Sequence, residues 1–159
     1  MFEELSLHIL DIAMNSLAAN AQEIEIRVLE SQQRDWLIVR VRDNGRGMDA
    51  ATLRHVLRGG TTKQSRKKNL GLGLALLRQT AEMCGGHFHV RSAPGKGTSV
   101  TASMRVGHVD RPPLGDLNAT ILTLCAANPA VDVRLHYRTD KEAFQFSSQE
   151  LTAKGKAEP

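Results

Sequence analysis

Asp11 and Asn15 stand four residues apart in a stretch of helical periodicity, which puts a carboxylate and an amide oxygen on one face. Oxygen donors so placed suit a hard cation such as Mg²⁺, and the carboxylate can also take a proton from an attacking water. The plainer reading is a hydrogen bond between the two on a polar face. Asp43 closes an apolar run and precedes Asn44-Gly45-Arg46-Gly47. A carboxylate at a strand end can accept from the exocyclic amine of adenine, which guanine lacks at the matching position. Glycines there let the backbone approach a base, although Asp-Asn-Gly is equally a tight-turn signal. Gly71-Leu72-Gly73-Leu74 opens a helix, where free N–H groups and the positive dipole end attract phosphate; the alternative is a hinge. Gly95-Lys96-Gly97-Thr98 follows in a hairpin. Taken in order, these elements suggest a pocket for a nucleotide and its metal ion.

The positioning elements follow from periodicity. Residues 2–19 read as a helix: Phe2, Leu5, Ile9 and Ile12 form one apolar row, Leu10, Met14 and Leu17 a second. The polar stripe between them, His8, Asp11 and Asn15, must face partners, water or a ligand, because burying such groups unsatisfied costs about 2–7 kcal/mol. His8 reads as packing or solvated rather than catalytic. Residues 22–30 and 36–42 alternate and form a hairpin through the polar segment 31–35. A short helix is expected near 50–57. Residues 58–69 carry no apolar side chain and read as a lid. A helix at 71–84 ends on Gly85-Gly86 as on a left-handed cap. Strands at 87–92 and 98–106 join through Pro94-Gly95-Lys96-Gly97. After the stiff Arg111-Pro112-Pro113, a helix from about Leu114 to Ala127 and strand candidates at 131–137 and 143–147 complete the pattern.

Composition sets outer limits. A chain of 159 residues is one domain, or one with a small addition. Aromatics are only 4%, so the core must rest on aliphatic side chains. The net charge of +4 concentrates in Arg66-Lys67-Lys68 near Lys63, a loop meeting phosphates or simply a solvated one, rather than the stripe a nucleic-acid binder shows. Cys84 and Cys125 lack metal or CxxC spacing, which fits a reduced compartment. No secretory n-region and no membrane-length apolar run is present. Cytoplasmic location is the expectation.

Two rival phosphate motifs fail on context. Gly45-x-Gly47-x-x-Ala50 sits after a strand, but the acidic residue a dinucleotide fold needs about twenty positions on falls in a basic run. GxxxxGK[ST] is absent, and Gly95-Lys96-Gly97-Thr98 matches only its tail. The order Asp11-x-x-x-Asn15-Ser16-Leu17, Asp43-x-Gly45-x-Gly47, Gly71-x-Gly73-Leu74, Gly97-Thr98 instead resembles the GHKL ATPase superfamily of gyrase, heat-shock chaperone, histidine kinase and MutL. The segment from Asn15 to Ile26 is most similar to the MutL branch, that from Gly60 to Thr98 to sensor histidine kinases. The resemblance covers roughly residues 5–106.

It implies a two-layer α/β sandwich of the Bergerat type, with a mixed, mostly antiparallel sheet. A histidine-kinase-like ATP-binding domain would span 1–107, a helix-plus-hairpin appendage 108–151, and a disordered tail 152–159. It implies ATP and Mg²⁺ as ligands: Asn15 on the metal, Asp43 on the adenine amine with a water shared by Thr98 and Gly47. Gly45 and Met48 would lie beside the base. Leu70, Gly71, Leu72, Gly73 and Leu74 would lie around the phosphates, with Lys63 reaching from the lid. Asp11 occupies the place of a glutamate base and is one methylene shorter. Ala18 replaces an acidic residue of the MutL branch, and Asn20 a glycine. No helical domain with a phosphoacceptor histidine precedes Asn15, and no transducer domain is recognisable. The expected role is a slow ATPase acting as a regulatory switch on an unidentified protein partner. The alternatives are a kinase for a Ser or His of a separate protein, and a non-catalytic binding module. Neither membrane nor nucleic acid is expected as a partner, and a homodimer is left open.

Overall fold

Ile24, Ile26 and Val28 share one face of β1 (Glu23–Ser31), and Leu37, Val39 and Val41 share one face of β2 (Trp36–Asp43). None of these side chains is more than 2% exposed in the computed structural model, which describes residues 4–58 and 73–149. Full burial is worth about 1.5–3 kcal/mol per aliphatic side chain. A one-residue slip would turn each row to solvent, so the register is firmly set. β3 (Phe88–Ser92) and β4 (Thr98–Met104) add Val100, Ala102 and Met104 to the same layer. β5 (Asp132–Thr139) adds Val133 and Leu135, and β6 (Ala143–Ser147) pairs along its outer edge.

These six strands run in the order β3-β4-β2-β1-β5-β6. Among the described residues only the β1–β5 pair is parallel; the others are antiparallel. Helices α1 (Leu5–Ala18), α2 (Ala50–Leu57), α3 (Gly73–Met83) and α4 (Leu117–Ala127) supply the second layer. Leu5, Ile9, Ile12 and Ala13 of α1 and Leu77 and Ala81 of α3 meet the apolar face of the sheet in one core. The expected two-layer sandwich with a mixed, mostly antiparallel sheet is thus the observed one. Past residue 107, β5 and β6 extend the same sheet beside β1.

Helix ends follow local chemistry. α1 stops where Asn20 takes a left-handed backbone, φ 60°, which asparagine tolerates better than most side chains. α3 ends as expected on Gly85, φ 75°, with the Gly86 N–H returning to the Ala81 carbonyl at 2.9 Å. α4 starts three residues later than its periodicity suggests. Pro113 and Leu114 are held out of it, because their carbonyls accept the Leu5 and Ser6 N–H groups at 2.9 and 2.8 Å. Gly115 then turns at φ 81°, and Asp116 caps the helix by accepting the Ala119 N–H at 3.0 Å. β5 runs to Thr139 rather than 137 because β1 offers it a parallel partner as far as Glu30. Of the expected lid at 58–69 all but Arg58, and the whole of the expected tail at 152–159, lie outside the described residues.

Candidate functional site

α1 lies over the ends of β2 and β4, and this sets the site's centre. Ser16 Oγ donates to Asp43 Oδ2 at 2.6 Å. Asp43 Oδ1 accepts the Gly45 N–H at 2.8 Å and the Thr98 N–H at 3.3 Å. The first of these is the turn that Asp-Asn-Gly announces, so the turn and the presented carboxylate coexist. Asn44 Oδ1 meanwhile accepts from the Gln22 and Glu23 N–H groups at 2.8 and 2.9 Å, tying the loop to the start of β1.

A cavity of ≈ 780 Å³ opens beside Asp43. Its apolar walls are Ile12, Val41, Val56, Leu74 and Val100, and Asn15, Gly47, Met48 and Thr98 add polar or backbone groups. A mostly apolar cleft of this size with a few convergent polar groups suits a flat heteroaromatic ligand with a polar tail. Gly47 is required by its surroundings. Its φ is 72°, and a Cβ there would collide with the Ala93 carbonyl oxygen. The loop is clamped on both sides, Arg46 N–H to the Ala19 carbonyl at 2.9 Å and Gly95 N–H to the Arg46 carbonyl at 2.6 Å.

Asn15 and Asp11 lie deeper. Asn15 lines the cavity, and its Oδ1 is buried with no hydrogen-bond partner among the described residues. Asp11 does not line it but packs against the first residue of α3, where a Cβ on Gly73 would strike Asp11 Oδ2. That oxygen too is buried and has no hydrogen-bond partner among the described residues. Burial pushes the Asp11 carboxyl above its usual range, against the pull of the Gly73 N–H. Leaving either atom dry is costly, and of the two only Asn15 faces the cavity, where a polar guest can reach it. The two do not bond each other. Among the described residues no group of three or more His, Cys, Asp or Glu side chains could hold a metal. A divalent ion at Asn15 would therefore draw its other oxygens from ligand and water. His8, the third member of the stripe, is fully buried, and burial holds its pKa down to about 4.

Of the residues expected from sequence, Asn15, Asp43, Gly47, Met48, Leu74 and Thr98 come together on this cavity. Gly45 stands behind Asp43, and Gly73 against Asp11. Lys63, Leu70, Gly71 and Leu72 lie outside the described residues. Two serines to which sequence reasoning gave no role are central. Ser16 holds Asp43, and Ser92 Oγ accepts the Met48 N–H at 2.8 Å while sharing a hydrogen with Thr98 Oγ1 at 2.8 Å. The strand register, Ser92 opposite Thr98, was the signal for the second. Asp49 was also missed; it caps α2 by accepting the Thr52 N–H at 2.8 Å, and that bond lowers its pKa.

Residues 1–108 match the family model described as histidine kinase-, DNA gyrase B-, and HSP90-like ATPase, and the chain belongs to that family. Among curated proteins it is similar to the sensor histidine kinase YvrG of Bacillus subtilis (strain 168), 35% identical over 91 residues, 55% of this chain and 16% of that one. It is 31% identical over 98 residues to sporulation kinase D of the same organism, 62% of this chain and 19% of the other. The virulence sensor protein BvgS of Bordetella bronchiseptica is 30% identical over 100 residues, 60% of this chain and 8% of its own length. The chain thus spans less than a fifth of each of these relatives. Among solved structures, the Aquifex aeolicus MutL ATPase domain complexed with ADP superposes with a TM-score of 0.52 at 14% identity, over 92% of this chain and 64% of that one. The N-terminal domain of a DNA repair protein gives 0.54 at 14% identity, over 91% and 52%. Both likenesses concern the fold. Among the described residues no helix is long and apolar enough to cross a membrane.

Proposed function

We propose that the protein binds ATP with Mg²⁺ in the cleft beneath α1 and acts as a slowly hydrolysing switch on a protein partner. The observation that carries this reading is the state of Asp43. Its two oxygens offer about four acceptor positions. Three are filled by Ser16, Gly45 and Thr98, and the remaining one belongs to Oδ2 beside the cavity. An exocyclic amine is the donor that position fits, and the apolar walls exclude water from the base. Met48 and Gly47 flank it with side chain and backbone.

Asn15 Oδ1, buried and without a partner among the described residues, is the group that would hold Mg²⁺, and the ion would supply neutralising charge to the phosphates. Gly71 and Gly73 would present N–H groups to the same phosphates, with Leu70, Leu72 and Leu74 beside them and Lys63 within the covering loop. Asp11 would take the proton of the attacking water. Burial raises its pKa, which makes it a stronger proton acceptor than an ordinary solvated carboxylate. Residues 1–107 form the nucleotide unit in this reading, and Pro113, Leu114 and Thr120 of the following segment brace α1. The setting would be cytoplasmic.

A second reading is phosphoryl transfer to a Ser or His of a separate protein, favoured by the 35% and 31% identity to a sensor histidine kinase and a sporulation kinase. Incubation with γ-phosphate-labelled ATP and Mg²⁺, alone and with captured partners, distinguishes the two. Release of free phosphate supports the switch, and label on a partner supports transfer. Absence of ATP binding by calorimetry overturns both.

A further inference from the structure

The sheet has a second face, away from the helices. With Leu37, Val39 and Val41 buried beneath α1, Ile38, Arg40 and Arg42 point the other way. Arg42 pairs with Ser99 and Ser99 with Arg91; Arg40 pairs with Thr101 and Thr101 with His89. At about 4.8 Å per strand, Arg42 and Arg91 stand about 10 Å apart across one intervening strand. Lys96 joins them from the β3–β4 turn. Together they enclose a hollow of ≈ 450 Å³ whose lining also includes Ser92 and Ser99.

The charge there is unbalanced. Among the described residues the one carboxylate on the lining is Asp43, whose oxygens are engaged by Ser16, Gly45 and Thr98. Among the same residues Arg42, Arg91 and Lys96 make no salt bridge. Glu25, opposite Arg42 on β1, pairs with Arg27 at 2.7 Å and with Arg40 at 3.5 Å, and Arg40 Nε is buried with no partner among the described residues. Arg91 Nε donates to His89 Nε2 at 3.2 Å, which fixes the guanidinium while using one of its five N–H donors. Three guanidinium forks and an ammonium facing one hollow match grouped carboxylates, which arginine binds bidentately. Unpaired bases would want an open ring to stack on, and the Trp36 ring on this face is already covered by Arg105 at 3.9 Å.

We propose that Arg40, Arg42, Arg91 and Lys96 form a docking site for an acidic segment of a protein partner, on the side of the sheet opposite the cleft. The site does not depend on the nucleotide reading, since no residue of it needs ATP. It shares the β3–β4 turn with the cleft, because Gly95 binds the Arg46 carbonyl and Ser92 binds Met48 and Thr98.

The test uses the full chain and a fluorescein-labelled hexaglutamate peptide, read by fluorescence anisotropy at low ionic strength without nucleotide. Arg42→Ser with Arg91→Ser should weaken binding at least about 10-fold. Arg34→Ser with Arg138→Ser removes equal charge from exposed positions elsewhere and should change it less than about 2-fold. Arg42→Lys with Arg91→Lys, which keeps charge but loses the fork, should fall between. Equal losses in the two serine pairs would mean attraction by net charge only and would overturn the site. So would absence of saturable peptide binding. Tighter binding of a single-stranded oligonucleotide, lost in the Arg42/Arg91 variants, would reassign the hollow to nucleic acid.

Discussion

Replacing Asp43 by asparagine changes one oxygen to an amide nitrogen and leaves shape intact, so its consequences can be worked group by group. The amide oxygen of the new side chain can keep both backbone bonds, from Gly45 and Thr98, that the carboxylate Oδ1 accepts at 2.8 and 3.3 Å. The new NH₂ then faces Ser16 Oγ, 2.6 Å from the present Oδ2. Ser16 can accept it by turning its own hydrogen to the Ile12 carbonyl, 3.5 Å away. The folded state therefore loses charge assistance but no partner, a cost of about 1–2 kcal/mol. The ligand fares worse. The open acceptor beside the cavity becomes a donor, so an adenine amine forfeits a charge-assisted bond of about 1.5–3 kcal/mol and meets a donor left without an acceptor, about 1–3 kcal/mol more. At about 1.4 kcal/mol per tenfold, ATP affinity should fall at least about 60-fold. A 6-keto base is suited to the new donor, so the preference for ATP over GTP should shrink. Titration calorimetry with Mg²⁺ and each nucleotide measures both effects, with circular dichroism to confirm the fold. An ATP affinity within about 3-fold of the parent, in a folded variant, would refute the assignment of Asp43.

Other outcomes follow from single groups. Asp11→Asn should leave ATP binding within a few-fold and slow phosphate release about 100-fold or more, the usual scale of general-base loss, measured by a phosphate-release assay. His8 has a folded pKa of about 4 against 6.5 for the free side chain, so its neutral burial favours folding fully above pH 6.5. That contribution, about 3 kcal/mol, should fade as pH drops from 6.5 toward 4, and urea midpoints of His8→Phe should show a shallower pH slope over this window. Gly47→Ala, forced against the Ala93 carbonyl at φ 72°, should lower the thermal midpoint by several degrees and abolish nucleotide binding together.

Periodicity made the scaffold readable. The buried rows Ile24-Ile26-Val28 and Leu37-Val39-Val41 alternate in plain view, and Gly85 and Asn128 mark where α3 and α4 stop. Asp43 was legible only in the company of the other motifs, because Asp-Asn-Gly alone reads equally as a turn. Ser16 and Ser92 were not, because serine is chemically common and becomes specific only when a helix or a register brings it to a partner. The parallel pairing of β5 with β1 joins residues more than a hundred positions apart, and no local pattern encodes it. The arginines of the second sheet face hid for another reason. Alternating with buried residues, Arg40 and Arg42 look like any solvated strand face until β3 and β4 are laid beside them.

The first turn of α1 is tied down by carbonyls at positions 113 and 114, so the helix that carries Asn15 finds its anchor only after more than a hundred further residues exist. Bringing such distant points together carries a loop-closure entropy that grows with the logarithm of the separation. A chain leaving the ribosome can form the β1–β2 hairpin early, since that contact is local. Its helix must wait for the latch. Assembly of this protein should thus run from the middle of the sheet outward, with the cleft among the last features to become rigid.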